Sequence, residues 1–286
     1  MHVHTIHSGM CTLPLLNRVC RESYTQPDAL YEHLKRSGMD LVTVTDHDSI
    51  DAAEALRRHA DFFLSEEVTC RMPSGTEIHV GVYDLGERQH VEIQKRRADI
   101  ESLAAYLDEQ DLFFTINHVF SRLTGRRHAS DFDHFEALFP GFETLNGHML
   151  PRMNRRSAEV AELLGKAPVA GSDAHTLASA GLAWTSVPGA RTKAEFLEGV
   201  RRGRARVNGA SGTYGKLTTD VLRICAAMAN ENPATLLLAP LALLVPAAVA
   251  VSYALEAAFL SHWTRKLGWT RPRSGFGNEP GASEAV

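Results

Sequence analysis

His2-Val3-His4 at the start of the chain and Asp173-Ala174-His175 far along it each set two metal-binding side chains two positions apart. On an extended strand, residues i and i+2 face the same way, so either pair can aim two donors at one point. With 14 histidines in 286 residues, one such pair arises easily by chance. The remaining donors carry more weight: Asp46-His47-Asp48, Glu66-Glu67, His79 and Asn117-His118. Imidazoles mixed with carboxylates suit zinc, manganese or ferrous iron. A carboxylate in such a set can bridge two ions about 3.5 to 4 Å apart, and water shared by two ions ionises near neutral pH, which is the chemistry of metal-assisted hydrolysis.

The segments around these donors read as strand ends. The apolar run 41–45 leads into Asp46, 62–64 into Glu66, 112–116 into His118 and 169–170 into Asp173. Further strands are expected at 142–145 and 166–170. Helices are expected at 28–36, 49–59, 88–109, 131–138, 154–164 and 193–201, the second opened by Ser49 as a cap with Asp51 in its first turn. Alternation of this kind favours an α/β fold with a parallel sheet or barrel. In a barrel the carboxyl ends of the strands converge on one mouth, so six separate segments would feed one pocket.

Taken in order, His-x-His-Thr, Thr-Asp-His-Asp, a Glu before Val-Thr, a strand His, Asn-His and Ser-Asp-Ala-His resemble the PHP (polymerase and histidinol phosphatase) superfamily of metal-dependent phosphoesterases, over roughly residues 1 to 210. The resemblance implies a distorted (β/α)7 barrel holding two or three Zn, Mn or Fe ions. It implies that His2, His4, Glu67 and Asp173 hold one ion, that Glu67 bridges to a second held by His79 and His118, and that His47 and His175 belong to a third. It also decides for Glu67 over Glu66, which strand phase alone leaves open. Two departures stand out. Only Met1 precedes His2, so the first strand looks clipped and a start further upstream is expected; and Ser8-Gly9-Met10-Cys11 lacks the Asp that usually serves the third site, leaving His7 or Cys11 as substitutes.

Other residues are placed around that frame. Asp46 and Asn117 are expected to hydrogen-bond ligands and fix them, each lying beside the histidine it could orient. His175 is an alternative proton donor to a leaving oxygen. Arg126 and Arg127, in the loop after the His118 strand, are the leading candidates to grip phosphate, with Arg152, Arg155 and Arg156 behind them. His148 is a further site candidate, whereas His33, His59, His90, His128, His134 and His262 lie in contexts that suit surface or internally satisfied roles. The arginine-rich run 201–206 reads as solvated surface.

The formal charge of −4 does not describe a protein that coats nucleic acid, whose domains usually carry a basic face, and a small phosphorylated substrate is expected instead. Cys11, Cys20, Cys70 and Cys225 show no CxxC spacing and no secretory signal precedes them, which fits reduced thiols in the cytoplasm. The catalytic unit is expected over 1–215 and a tail over 216–286. Within the tail, residues 233–255 carry no charge and are followed by Glu256 and then by Arg265, Lys266, Arg271 and Arg273. That length can cross a bilayer core of about 30 Å, and Trp263 and Trp269 flank it as interfacial anchors do. Membrane contact through 233–260 is therefore expected, as a surface-lying or re-entrant hairpin; the bland alternative is a pair of apolar helices packed on the catalytic unit or on a second subunit.

The function expected from this set is metal-dependent hydrolysis of small phosphate monoesters by a metal-bridging hydroxide. Nucleotide-type substrates such as nucleoside 3',5'-bisphosphates or oligonucleotide ends are what the resemblance favours. Two other readings compete with it. One is a C–N hydrolase of the amidohydrolase type, which usually bridges its metals with a lysine that is missing here at the matching strand ends. The other is a non-catalytic, metal-stabilised binding module.

Overall fold

The computed structural model describes residues 1–14 and 16–267, so Trp269, Arg271 and Arg273 lie outside the described residues. The elements run in the order α1 (Pro27–Arg36), α2 (Ala53–Leu56), β1 (Ser65–Arg71), β2 (Glu77–Tyr83), α3 (Glu87–Arg96), α4 (Ile100–Glu109), β3 (Phe113–Ile116), α5 (Ala129–Leu138), β4 (Gly141–Asn146), α6 (Pro151–Leu163), β5 (Ala167–Gly171), β6 (Ala183–Ser186), α7 (Lys193–Arg201), β7 (Arg206–Gly209), α8 (Tyr214–Glu231) and α9 (Val245–Leu267). Strands β1 to β5 form one sheet in chain order, and β6 and β7 form a separate antiparallel pair.

Within the main sheet β3, β4 and β5 run parallel, whereas β1–β2 and β2–β3 are antiparallel. The fold is mixed α/β, and the expectation of a closed barrel of seven strands needs correction: the regular sheet has five strands and does not close on itself. Between its edges β1 and β5 run two extended segments held by single bridges, Val3 with Ala174 and His47 with Glu67. Asp173 N donates to His2 O, Thr45 N to Val3 O and Glu67 N to Asp46 O. These segments miss regular pairing because side chains take the place of ladder carbonyls. Val3 N donates to Thr45 Oγ1, and Thr5 N donates to Asp46 Oδ1 at 2.6 Å. The short lead-in is itself tied down, the Met1 amino group donating to Ala170 O at 2.9 Å.

The core lies between the sheet and helices α4, α5 and α6. Val80, Val82, Phe114, Ile116 and Phe142 from the strands pack with Leu103, Leu107, Phe132, Phe135 and Val160 from the helices, and all are fully buried. Each such side chain stabilises the fold by about 1.5–3 kcal/mol. The helix expected over 88–109 is two helices, because Asp99 turns outward and caps the second, its carboxylate accepting from Glu101 N and Ser102 N. The helix expected over 49–59 shrinks to the single turn of α2, with Ser49 closing a local turn by accepting from Asp51 N.

In the tail, α8 is followed by a 3-10 run, Pro233–Leu244, and then by α9. Pro240 lies inside the 3-10 run, where it lacks the N–H that a regular helix would use. The end of α9 is part of the main core: Leu260 and Trp263 are buried, and Trp263 packs 4.9 Å from Phe132. The start of this stretch differs, with Leu237 87% and Leu243 84% exposed. The stretch Pro233–Leu267 is long and apolar enough to cross a membrane by length and composition, and most of it is unburied.

Candidate metal centre

Glu67, 1% exposed at the start of β1, is the hub of the site. Its Oε2 lies 3.1 Å from His2 Nε2, 3.3 Å from His4 Nε2 and 3.4 Å from His47 Nδ1. Its Oε1 lies 3.3 Å from His79 Nδ1 and 3.5 Å from His118 Nε2. Asp173 Oδ1 completes the first set, 3.5 Å from His2 Nε2 and 3.3 Å from His4 Nε2. Four ligands at about 2.1 Å around a tetrahedral ion stand about 3.4 Å apart. The separations between these donors match that spacing, so the residues present fit divalent ions. The fit has a second sign: His47 Nδ1, the atom that faces Glu67, is buried with no hydrogen-bond partner among the described residues.

The partners behind the donors fix which nitrogen faces inward. His2 Nδ1 lies 2.8 Å from Glu143 Oε1 and His4 Nδ1 lies 3.0 Å from Ser8 Oγ. Glu143 accepts, so His2 carries its proton on Nδ1. Ser8 Oγ donates to Asp46 Oδ1, so His4 must donate to Ser8 in turn. Once neutral, both rings therefore present Nε2 lone pairs to the centre, the arrangement that second partners of ligating histidines usually enforce. Asn117 Nδ2 donates to Glu67 Oε1 at 2.8 Å, so it steadies the bridging carboxylate and not its neighbour His118. Asp46 likewise serves Thr5 and Ser8 and not its neighbour His47, which corrects the expectation that each would orient the adjacent histidine. His175 Nδ1 donates to Asp173 O at 3.0 Å, leaving Nε2 free.

Ion-free, the centre is held by its own charges. Burial alone would push His2 down, yet Glu67, Asp173 and Glu143 raise it well above the usual imidazole range; against the same penalty, hydrogen bonds to Asp173 and Glu67 raise His4 to about 9. Glu67 is held well below the carboxylate range despite burial, chiefly by His2 and His79. His47 goes the other way, burial driving it to about 3. Two of the gathered positions carry backbone strain: His118 and Asp173 have φ of 31° and 48°, unusual for residues with side chains. Such outliers gather where a site needs a particular side-chain direction.

His2, His4, His47, Glu67, His79, His118, Asp173 and His175 thus come together. The arginines do not join them. Arg127 is buried, donates to Glu77 O at 2.7 Å and lies over the Phe135 ring, while Arg126 lines a small cleft with Ser74, Thr76, Glu77 and His128. Arg156 pairs with Glu159 at 3.2 Å, and Arg152 and Arg155 are exposed on α6. Glu66 points away from the centre to His90 Nδ1 and Gln94 Nε2.

Sequence reasoning missed four residues. Glu143 takes His2 Nδ1, His118 N and Asn146 Nδ2, and Asn146 Nδ2 also donates to Asp173 Oδ2. An acid and an amide inside the apolar run of β4 were the available signal. Glu22 lies 3.6 Å from His47 Nε2 and 3.7 Å from His175 Nε2. Burial pushes its carboxyl up, but His175 and then His47 prevail and hold it at about 2. Asp220 of α8 binds Thr176 and Ser179 and stands 3.6 Å from His148, itself a neighbour of Asp173 and His175. Neither Glu22 nor Asp220 sits near a donor in the sequence.

The chain matches a family model described as PHP-associated over residues 151–205. Among solved structures it is similar to PsfC from Pseudomonas syringae, at 16% identity and a TM-score of 0.53, covering 80% of this chain and 96% of that one. It is also similar to the lesion-specific endonuclease PfuEndoQ from Pyrococcus furiosus, at 16% identity and a TM-score of 0.48, covering 72% of this chain and 56% of that one. An amidohydrolase from Chromobacterium violaceum matches at 13% identity and a TM-score of 0.44, covering 72% of this chain and 96% of that one. No curated protein sequence matches the chain.

Proposed function

We propose that the chain, which matches a PHP-associated family model over residues 151–205 and carries the PHP-like donor series, is a PHP-type metal-dependent phosphoesterase acting on small phosphate monoesters, nucleoside 3',5'-bisphosphates or oligonucleotide ends being the preferred class. The observation that carries this reading is the division of Glu67. One of its oxygens faces His2, His4 and His47 and the other faces His79 and His118, the disposition of a carboxylate that bridges two ions. When bound, two or three ions of the zinc, manganese or iron type supply Lewis acidity to the phosphoryl oxygens and acidify water.

The chain's own part is to hold and orient. Glu143 and Ser8 lock the proton of His2 and of His4 on Nδ1, which keeps Nε2 inward. Asn117 fixes the Glu67 rotamer through Oε1, and Asn146 does the same for Asp173 through Oδ2. With its proton committed to Asp173 O, His175 suits ligation through Nε2 better than protonation of a leaving oxygen. We read the extended segments 1–5 and 42–47 as the two remaining strands of a distorted (β/α)7 barrel. Residues 1–215 are the catalytic unit, and the tail 216–286 attaches it to the cytoplasmic face of a membrane as a surface-lying or re-entrant hairpin.

A competing C–N hydrolase reading is disfavoured by the donor set: among the described residues, none of the groups meeting Glu67 is a lysine. The test is phosphate release from nucleoside 3',5'-bisphosphates by manganese- or zinc-loaded protein beside Glu67→Gln. Release by the wild type and none by the variant supports the proposal. Amide or lactam hydrolysis without phosphate release refutes it.

A further inference from the structure

Gly9 stands where the resemblance expects a carboxylate, and its backbone, at φ 85° and ψ −154°, is in a region that only glycine enters readily. The chain then makes an excursion and comes back. Met10 pairs antiparallel with Arg21, Cys11 N donates to Cys20 O at 3.0 Å, and Glu22 N donates to Gly9 O at 3.0 Å. The returning segment thus sets the Glu22 backbone directly beside Gly9, and its carboxylate faces the two histidines that the resemblance assigns to the third site. Its two oxygens face His47 Nε2 at 3.6 Å and His175 Nε2 at 3.7 Å, and among the described residues no hydroxyl, amide, lysine or arginine side chain hydrogen-bonds to them. These are again the edge lengths of a coordination shell, about 3.4 Å for a tetrahedral ion. The His4 ring stacks against both histidines, 4.7 Å from His47 and 4.4 Å from His175, so this triangle adjoins the Glu67 centre.

We propose that Glu22, delivered across the 9–22 hairpin, is the carboxylate ligand of a further divalent ion held with His47 and His175. The inference rests on the phosphoesterase reading above and assigns the ligand that the sequence leaves out of it. Among the described residues, neither His7 nor Cys11, the substitutes named from sequence, belongs to a group of donors spaced to hold an ion.

The test is metal content per chain by plasma mass spectrometry after zinc loading and desalting, on wild type, Glu22→Gln and Arg21→Ala. Three equivalents are expected in wild type and in Arg21→Ala, which keeps Glu22, against two in Glu22→Gln. Circular dichroism confirms that each variant is folded, and Glu22→Asp gives a second reading, with an intermediate, more readily chelated third equivalent. Three retained equivalents in Glu22→Gln, two in wild type, or an equal loss in Arg21→Ala would each overturn the assignment of Glu22 while leaving the Glu67 centre intact. No metal in wild type would remove both.

Discussion

The carboxylate of Asp46 reaches the ring of His4 through a single hydroxyl. Ser8 Oγ donates to Asp46 Oδ1 at 2.7 Å and accepts from His4 Nδ1 at 3.0 Å, while Thr5 binds the same carboxylate through its N–H and its hydroxyl. One buried acid therefore anchors the second histidine of the His-x-His pair and ties the N-terminal segment to the segment that carries His47.

Cutting that relay should loosen one ion without unfolding the chain. Ser8→Ala leaves His4 Nδ1 with no acceptor in this direction, and loss of a partner behind a ligating histidine typically weakens metal binding about 10–100-fold. Competition against a fluorescent zinc chelator reads the change; an affinity equal to that of wild type would show that the hydroxyl does not set the His4 tautomer.

Metal uptake should release protons at neutral pH. In the ion-free protein, hydrogen bonds to Asp173 and Glu67 overcome burial and hold His4 at about 9, with His2 also raised, so the pair carries excess protons at pH 7. A ligating imidazole must be neutral, so each ion displaces these protons and apparent affinity falls as pH drops below about 9. Indicator dye in weak buffer should report release on zinc addition at pH 7, and His4→Asn should release less. Uptake with no release would contradict the charge state derived for the centre.

Glu256 docks the tail on the loop after His118. Its carboxylate, 5% exposed, accepts from Ser121 Oγ at 3.2 Å and from Arg122 N at 3.1 Å. Glu256→Ala strands those donors at a cost of about 1–3 kcal/mol, read as a lower midpoint in thermal unfolding of the full chain. An unchanged midpoint would mean that the contact is absent in solution.

The exposed part of the apolar stretch Pro233–Leu267 should govern membrane contact. Leu237 and Leu243 are the most exposed of its large apolar side chains. Replacing both with Glu should abolish co-sedimentation with vesicles containing anionic lipid and leave metal content unchanged. If the double variant sediments like wild type, the apolar segment is not the contact.

Much of the clustering was legible because the donors lie at strand ends in a recognisable series, and their types suit a divalent ion. What stayed hidden depends on distance in the chain. Glu22 reaches its place only through the 9–22 hairpin, and Asp220 comes from a helix after the last strand, so no local spacing announces either. Glu143 was visible as an acid in an apolar strand, but its partner His2 lies at the other end of the sequence. The barrel was over-regularised for a related reason. Thr45 and Asp46 read as the end of a strand, yet their side chains take backbone donors of Val3 and Thr5, and that exchange replaces the ladder. Asp99, which splits the long helix, could have been recognised as a cap from its type alone.

The most direct test of the central claim is metal content per chain in wild type and Glu67→Gln, purified side by side without added chelator and measured by plasma mass spectrometry. A carboxylate shared by two sets of imidazoles predicts two or more equivalents of zinc, manganese or iron in wild type and near-complete loss in the variant. Metal-free wild type, or a variant that keeps its full complement, would contradict a centre built on Glu67.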